Sequence, residues 1–192
     1  GVQTCALPIS TGFKDSEQSS KVQNVKLLED ELKNLKKILI GVAVLLVAIQ
    51  FVHPAKNIST EVSVNKIEAS AEVKQILKTS CNDCHSDNTV YPWYNNIQPV
   101  AWWLGHHIDE GKSELNFDEF ASYKPRKQYH KMEELEELVI ENEMPLSSYL
   151  WIHKDAVLNS QQKDALINWS KSNRADLEAK YPIDSLIRPK NK

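Results

Sequence analysis

What the chain has little of narrows its chemistry first. Its 192 residues include three cysteines, two methionines and five glycines. Cysteines at positions 5, 81 and 84 cannot build a disulfide framework, so the fold must rest on an apolar core. Glycine is scarce and sustained apolar–polar alternation is missing, which removes the usual marks of strands and hairpins; Leu, Lys, Glu and Ala recur at helical spacing instead. With 23 Lys and Arg against 26 Asp and Glu the net charge is -3, and no basic stripe runs along the chain, so nucleic acid is not an expected partner. No nucleophile beside a base, no acid–base pair and no phosphate-cradling loop is recognisable, and an enzyme is not expected. Hydrophobic residues at 41% and charged residues at 26% are ordinary for a globular domain, here all-α.

Residues 1–35 read as a non-native stretch or a polar helical leader: Gly1 to Ser10 has no periodicity, and Val22, Val25, Leu28, Leu32 and Leu35 then mark a short amphipathic helix. Residues 36–52 read as a signal anchor. Lys36 and Lys37 precede the apolar run Ile38 to Val52, broken only by Gln50, and His53-Pro54-Ala55 is no cleavage site. A transmembrane helix is therefore expected over a cleaved signal, with the rest on the extracytoplasmic side of the membrane. Residues 53–66 read as a linker, 67–185 as the domain and 186–192 as a tail.

Within the domain, Val73, Ile76, Leu77 and Cys81 share one helix face. Pro99 is placed to open a helix that Gly111 closes, with Val100, Trp103, Leu104, His107 and Ile108 as its apolar stripe. Asn116 and Glu119 resemble a capping box for a short helix that Pro125 ends. A helix over Lys131–Asn142 turns Met132, Leu135, Leu138 and Val139 inward, Met144-Pro145 breaks the pattern, and a last helix starts near Asn159 with Gln162 closing its cap.

The chemistry is concentrated in Cys81-Asn82-Asp83-Cys84-His85. Two thiols can add to the two vinyl groups of haem as thioethers while the adjacent imidazole reaches the iron. Residues i, i+3 and i+4 can all be offered by one helical turn to a flat macrocycle. A thioredoxin-like redox pair would follow a strand in an α/β pattern, and a structural zinc site would need a second ligand pair; neither is present. One covalent haem c is the expected cofactor, with His85 the proximal iron ligand.

From residue 67 to 185 the order of elements resembles cytochrome c. More narrowly, Cys81 to His85, Tyr91-Pro92-Trp93-Tyr94, His107, Gly111, Leu115-Asn116-Phe117, Glu143-Met144-Pro145 and Trp151-Ile152-His153 resemble the bacterial haem-binding domain family of cytochrome c-like proteins. The resemblance implies haem attachment and one-electron transfer; the expected partners are redox proteins whose identity the sequence leaves open. It also implies an axial methionine at the position of Met144, the other methionine, Met132, sitting on an apolar helix stripe. His107 is the competing distal ligand. Trp93, Tyr94 and Trp103 are expected, with Trp102 and Trp151, to line the haem pocket or the core. Arg126 and Tyr129 are placed to hydrogen-bond haem propionates, and Pro92 or Pro99 to supply the carbonyl that orients His85. The expectation is a monohaem electron carrier; a haem-based sensor or an accessory module of a larger redox complex is the alternative.

Overall fold

A computed structural model describes residues 12–61 and 63–187, with side chains from residue 24 onward. Gly1 to Ser10 and residues 188–192 of the expected tail lie outside the described residues. The chain divides into two compact units, Gly1–Val52 and His53–Lys192.

In the first unit the expected amphipathic helix and the apolar run are one continuous helix, α1, over Gly12–Ile49. It stops before the apolar run does: the amides of Gln50, Phe51 and Val52 turn back onto the carbonyls of Val47, Ala48 and Ile49. The apolar part, 38–49, is therefore only about 18 Å long at 1.5 Å per residue, against a hydrocarbon core of about 30 Å. Any longer window ending at Ile49 takes in Lys37, Lys36 and then Lys33. Among the described residues no helix is long and apolar enough to cross a membrane, so the transmembrane expectation for 36–52 gains no support there.

The second unit is helical. Ser70 caps α2 (Ala71–Ser80) through its side chain, which accepts from the Val73 amide, and Val73, Ile76 and Leu77 are buried as the spacing predicts. The cysteine motif follows as α3 (Asn82–His85), then a 3-10 turn over Trp93–Asn96 and α4 (Val100–Glu114). A 3-10 turn at Phe120–Ser122 leads into α5 (Pro125–Ile140), which Pro125 opens rather than precedes, because a ring that fixes φ and lacks an N–H suits a first turn. Next come α6 (Ser147–Leu150), α7 (Ser160–Lys180) and α8 (Ile183–Leu186). Asn159 and Gln162 form the expected capping box of α7.

The main core lies where α7 packs along α5 and against α2. Phe117, Phe120, Met132, Val139, Leu158, Leu166 and Trp169 fill it. Polar groups there are satisfied: Trp169 Nε1 donates to the Glu68 carbonyl at 3.0 Å, and Ser170 Oγ to the Met132 carbonyl at 2.5 Å. Two stripes differ from expectation. On α4 the buried residues are Ala101, Leu104 and Ile108, so the inward face is turned by one position and Trp103 is 46% exposed. Asn116 caps no helix; fully buried, it accepts the Asp118 amide and donates to Asp87 Oδ1 at 2.8 Å.

The expected linker 53–66 is instead built into the unit. Asn57 Nδ2 donates to the Ser86 carbonyl (2.8 Å) and to Thr89 Oγ1 (3.0 Å), its amide donates to Tyr91 Oη (2.6 Å), and its Oδ1 accepts from Lys112 Nζ (2.7 Å). Ile58 bridges antiparallel to Asn88. This segment clasps the loop that leaves the cysteine motif.

Candidate functional site

The buried face of α2 delivers Cys81 to a break between α2 and α3, where its backbone leaves helical angles (φ -130°, ψ -40°). Its carbonyl accepts from the amides of both Cys84 (3.2 Å) and His85 (3.0 Å), so one turn holds the three side chains, as the spacing predicts. Neither cysteine is disulfide-bonded. Burial, and then the charge of Cys84, push the Cys81 thiol up to about 12; burial, and then Asp83, push Cys84 up to about 11. Thiols this reluctant to ionise do not suit a thioredoxin-like redox pair, whose chemistry needs a thiolate near neutral pH. Among the described residues no three His, Cys, Asp or Glu side chains group to chelate a bare metal ion.

The imidazole of His85 is set by the segment that follows α4. Nδ1 donates to the Leu115 carbonyl at 2.8 Å, while the Phe117 amide donates to the His85 carbonyl at 2.8 Å. With Nδ1 as donor, Nε2 is the unprotonated nitrogen, the form that binds iron. Burial holds the ring below the usual histidine range, opposed by the bond to Leu115. The orienting carbonyl thus comes from Leu115 and not from Pro92 or Pro99.

Two cavities, of about 260 and 270 Å³, meet at this motif. Both are bordered by Ser80, Cys81, His85, Glu114, Met144 and Pro145. The first runs into apolar surface from Leu77, Phe117, Leu138, Val139, Leu158 and Leu166. The second is bordered by Cys84, His107, Gly111, Leu146 and Tyr149. Of the two candidate distal ligands, Met144 therefore reaches both volumes and His107 one. His107 lies edge-on to Trp103 at 4.5 Å, with its Nδ1 3.6 Å from a Glu110 carboxylate oxygen. Met132 is fully buried in the main core.

The remaining expected pocket residues are not on either cavity. Trp93 is 74% exposed, and Trp103 covers His107 from outside. Tyr94 packs beside Cys84 but turns its hydroxyl to His153 Nε2 at 2.7 Å. Tyr129 is buried with Leu177 and Leu186 and donates to Glu178 Oε1 at 2.7 Å; Arg126 donates to the Ser185 carbonyl at 2.9 Å. The cation on the wall of the first cavity is Lys131, its side chain 13% exposed, held by Glu114 Oε2 at 2.7 Å and Glu134 Oε2 at 2.6 Å. Burial would lower its pKa, but the two carboxylates outweigh that and keep it charged.

Gly111 does not close α4; it lies inside it, against α3. A Cβ at this position would stand 2.7 Å from the Cys84 carbonyl oxygen and 3.0 Å from Cys84 Cβ. A helical glycine read as a stop is here a close approach, and nothing local in the sequence separates the two. Leu115 is likewise invisible beforehand, because its contribution is a backbone oxygen.

The donor set fits a haem. Two neutral thiols and an unprotonated imidazole nitrogen border apolar volume on the same turn, and a thioether sulfur borders that volume from another segment. A sequence profile of the family described as "Haem-binding domain" matches residues 44–172. No curated protein and no solved structure gives a significant match. The chain belongs to the haem-binding domain family.

Proposed function

From that membership and the arrangement of the motif, we propose that the protein carries one haem covalently, through thioethers at Cys81 and Cys84, and works as a one-electron carrier and not as an enzyme. His85 is the proximal iron ligand and Met144 the distal one. The observation that carries this reading is the shared wall: Cys81, His85 and Met144 border both cavities, so one flat group between them would meet all three. Bound there, haem supplies a ferrous–ferric couple whose potential the protein sets by axial ligand and pocket polarity. Leu115 holds the imidazole in its metal-binding tautomer, Leu138, Val139 and Leu166 exclude water, and Lys131 offers a cation to carboxylates at the cavity wall.

Thioether attachment to exported chains suits a location on the extracytoplasmic side of a bacterial inner membrane, with 36–52 as the export signal and proteins as redox partners. A docking module within a larger redox complex is the second reading, supported by the exposed indoles of Trp93 and Trp151 in the haem unit. The primary test is covalency. Protein matured in a host with c-haem assembly should keep its haem through acid–acetone extraction and denaturing electrophoresis, and Cys81→Ser with Cys84→Ser should lose it. Extraction of haem from the unsubstituted protein ends this reading.

A further inference from the structure

Met144 approaches the site on a short segment with two anchors, and only the first is ordinary. On the N-terminal side, the amides of Glu143 and Met144 donate to the Leu138 carbonyl at 2.9 and 3.2 Å, fixing the segment to the end of α5. On the C-terminal side, α6 carries Tyr149, whose hydroxyl donates to Asp83 Oδ2 at 2.8 Å. Asp83 is one of the two residues between the cysteines, and its other carboxylate oxygen accepts the Val90 amide at 3.1 Å. The phenol ring is held too: it stacks on His153, centroids 4.2 Å apart and planes 7° off parallel, and His153 is fixed by Tyr94. Burial, then the Asp83 carboxylate, raise the Tyr149 pKa, so the hydroxyl remains a donor at ordinary pH.

We propose that Tyr149 is a positioning residue: its hydrogen bond to Asp83 holds the Met144-Pro145-Leu146 segment over the cysteine motif. A charge-assisted bond across the second cavity ties the residues between the thioether cysteines to the segment bearing the distal ligand. The inference rests on the assignment of Met144, and its test separates the two. Tyr149→Phe keeps the stack on His153 and removes only the donor.

In holoprotein, Tyr149→Phe should speed amide exchange over 144–150 and raise the rate of carbon monoxide binding to ferrous haem about tenfold, which corresponds to about 1.4 kcal/mol of lost closure. Asp83→Ala should give a like increase, and adding Tyr149→Phe to it should change little more, the signature of one shared bond. Haem content and the Met144→Ala variant are measured alongside. Unchanged exchange over 144–150 in Tyr149→Phe overturns the proposal. So does faster exchange with unchanged carbon monoxide binding, if Met144→Ala does accelerate it. If Met144→Ala leaves carbon monoxide binding unchanged, the ligand assignment fails; exchange at 144–150 then decides whether Tyr149 holds the segment.

Discussion

Gly111 meets Cys84 so closely that a methyl group in place of its hydrogen would lie 2.7 Å from the Cys84 carbonyl oxygen. The contact is backbone against backbone, where no flexible side chain can yield, and it sets how near α4 comes to the cysteine motif. Gly111→Ala should therefore cost about 1–3 kcal/mol as an overpacking substitution, despite alanine's better helix propensity. Urea unfolding of the holoprotein measures it. Gly105→Ala, whose Cβ would meet only the Pro54 ring at 3.3 Å, is the milder comparison.

The two methionines should behave oppositely. Met144→Ala should abolish the weak long-wavelength sulfur-to-iron absorption of the ferric protein, lower the potential and open the ferrous iron to carbon monoxide, with little loss of stability. Met132→Ala should keep all three properties and lose about 2–5 kcal/mol, because its side chain is fully buried in the main core. If the unsubstituted protein is low-spin without the sulfur band, and His107→Ala opens the iron, the distal ligand is His107.

The haem-free protein should be labile to alkali in a way that its serine variant is not. In the folded state Cys81 and Cys84 keep their protons up to about 12 and about 11. In the unfolded chain they lose them from about 8.5, so stability from these groups is whole below that pH and falls as pH rises toward the folded values. The unfolding free energy should drop more between pH 7.5 and 10.5 than that of Cys81→Ser with Cys84→Ser. Thioether formation consumes both thiols and should remove the difference.

Removal of residues 1–52 should leave a haem unit that folds, because His53 Nδ1 lies 3.4 Å from Gln98 Nε2 and Asn57 anchors the loop after the motif. Starting after Asn57 should lower the melting temperature, a loss that Asn57→Ala reproduces. Spectra of the two shortened chains and thermal unfolding check this. If residues 36–52 direct export as proposed, cytoplasmic expression of the chain from His53 should give no covalent haem.

Much of the site was legible in advance because its chemistry is local: Cys81, Cys84 and His85 sit within one turn, and short-range hydrogen bonds hold them there. The α7 cap was legible for the same reason. What sequence spacing missed is made by distant backbone. The Leu115 carbonyl orients His85, the Cys84 carbonyl demands Gly111, and Asn57 clasps the loop after the motif from a segment that reads as a linker. The α4 stripe was off by one residue because helical periodicity locates an apolar face only to within its width, and Trp103 lies at its edge. Arg126 and Tyr129 were assigned by residue type alone, and both are bound to the C-terminal elements, at Ser185 and Glu178.

The indole of Trp169 closes on the carbonyl of Glu68 across 101 positions of sequence, and α7 packs on α2. A chain made N-terminus first presents the cysteine motif well before that. During this interval Cys81 and Cys84 are not yet in the folded surroundings that hold their pKa values up, so both thiols ionise more easily before folding than after it. If thioethers form at these cysteines as proposed, the length of chain between the motif and α7 sets how long that interval lasts.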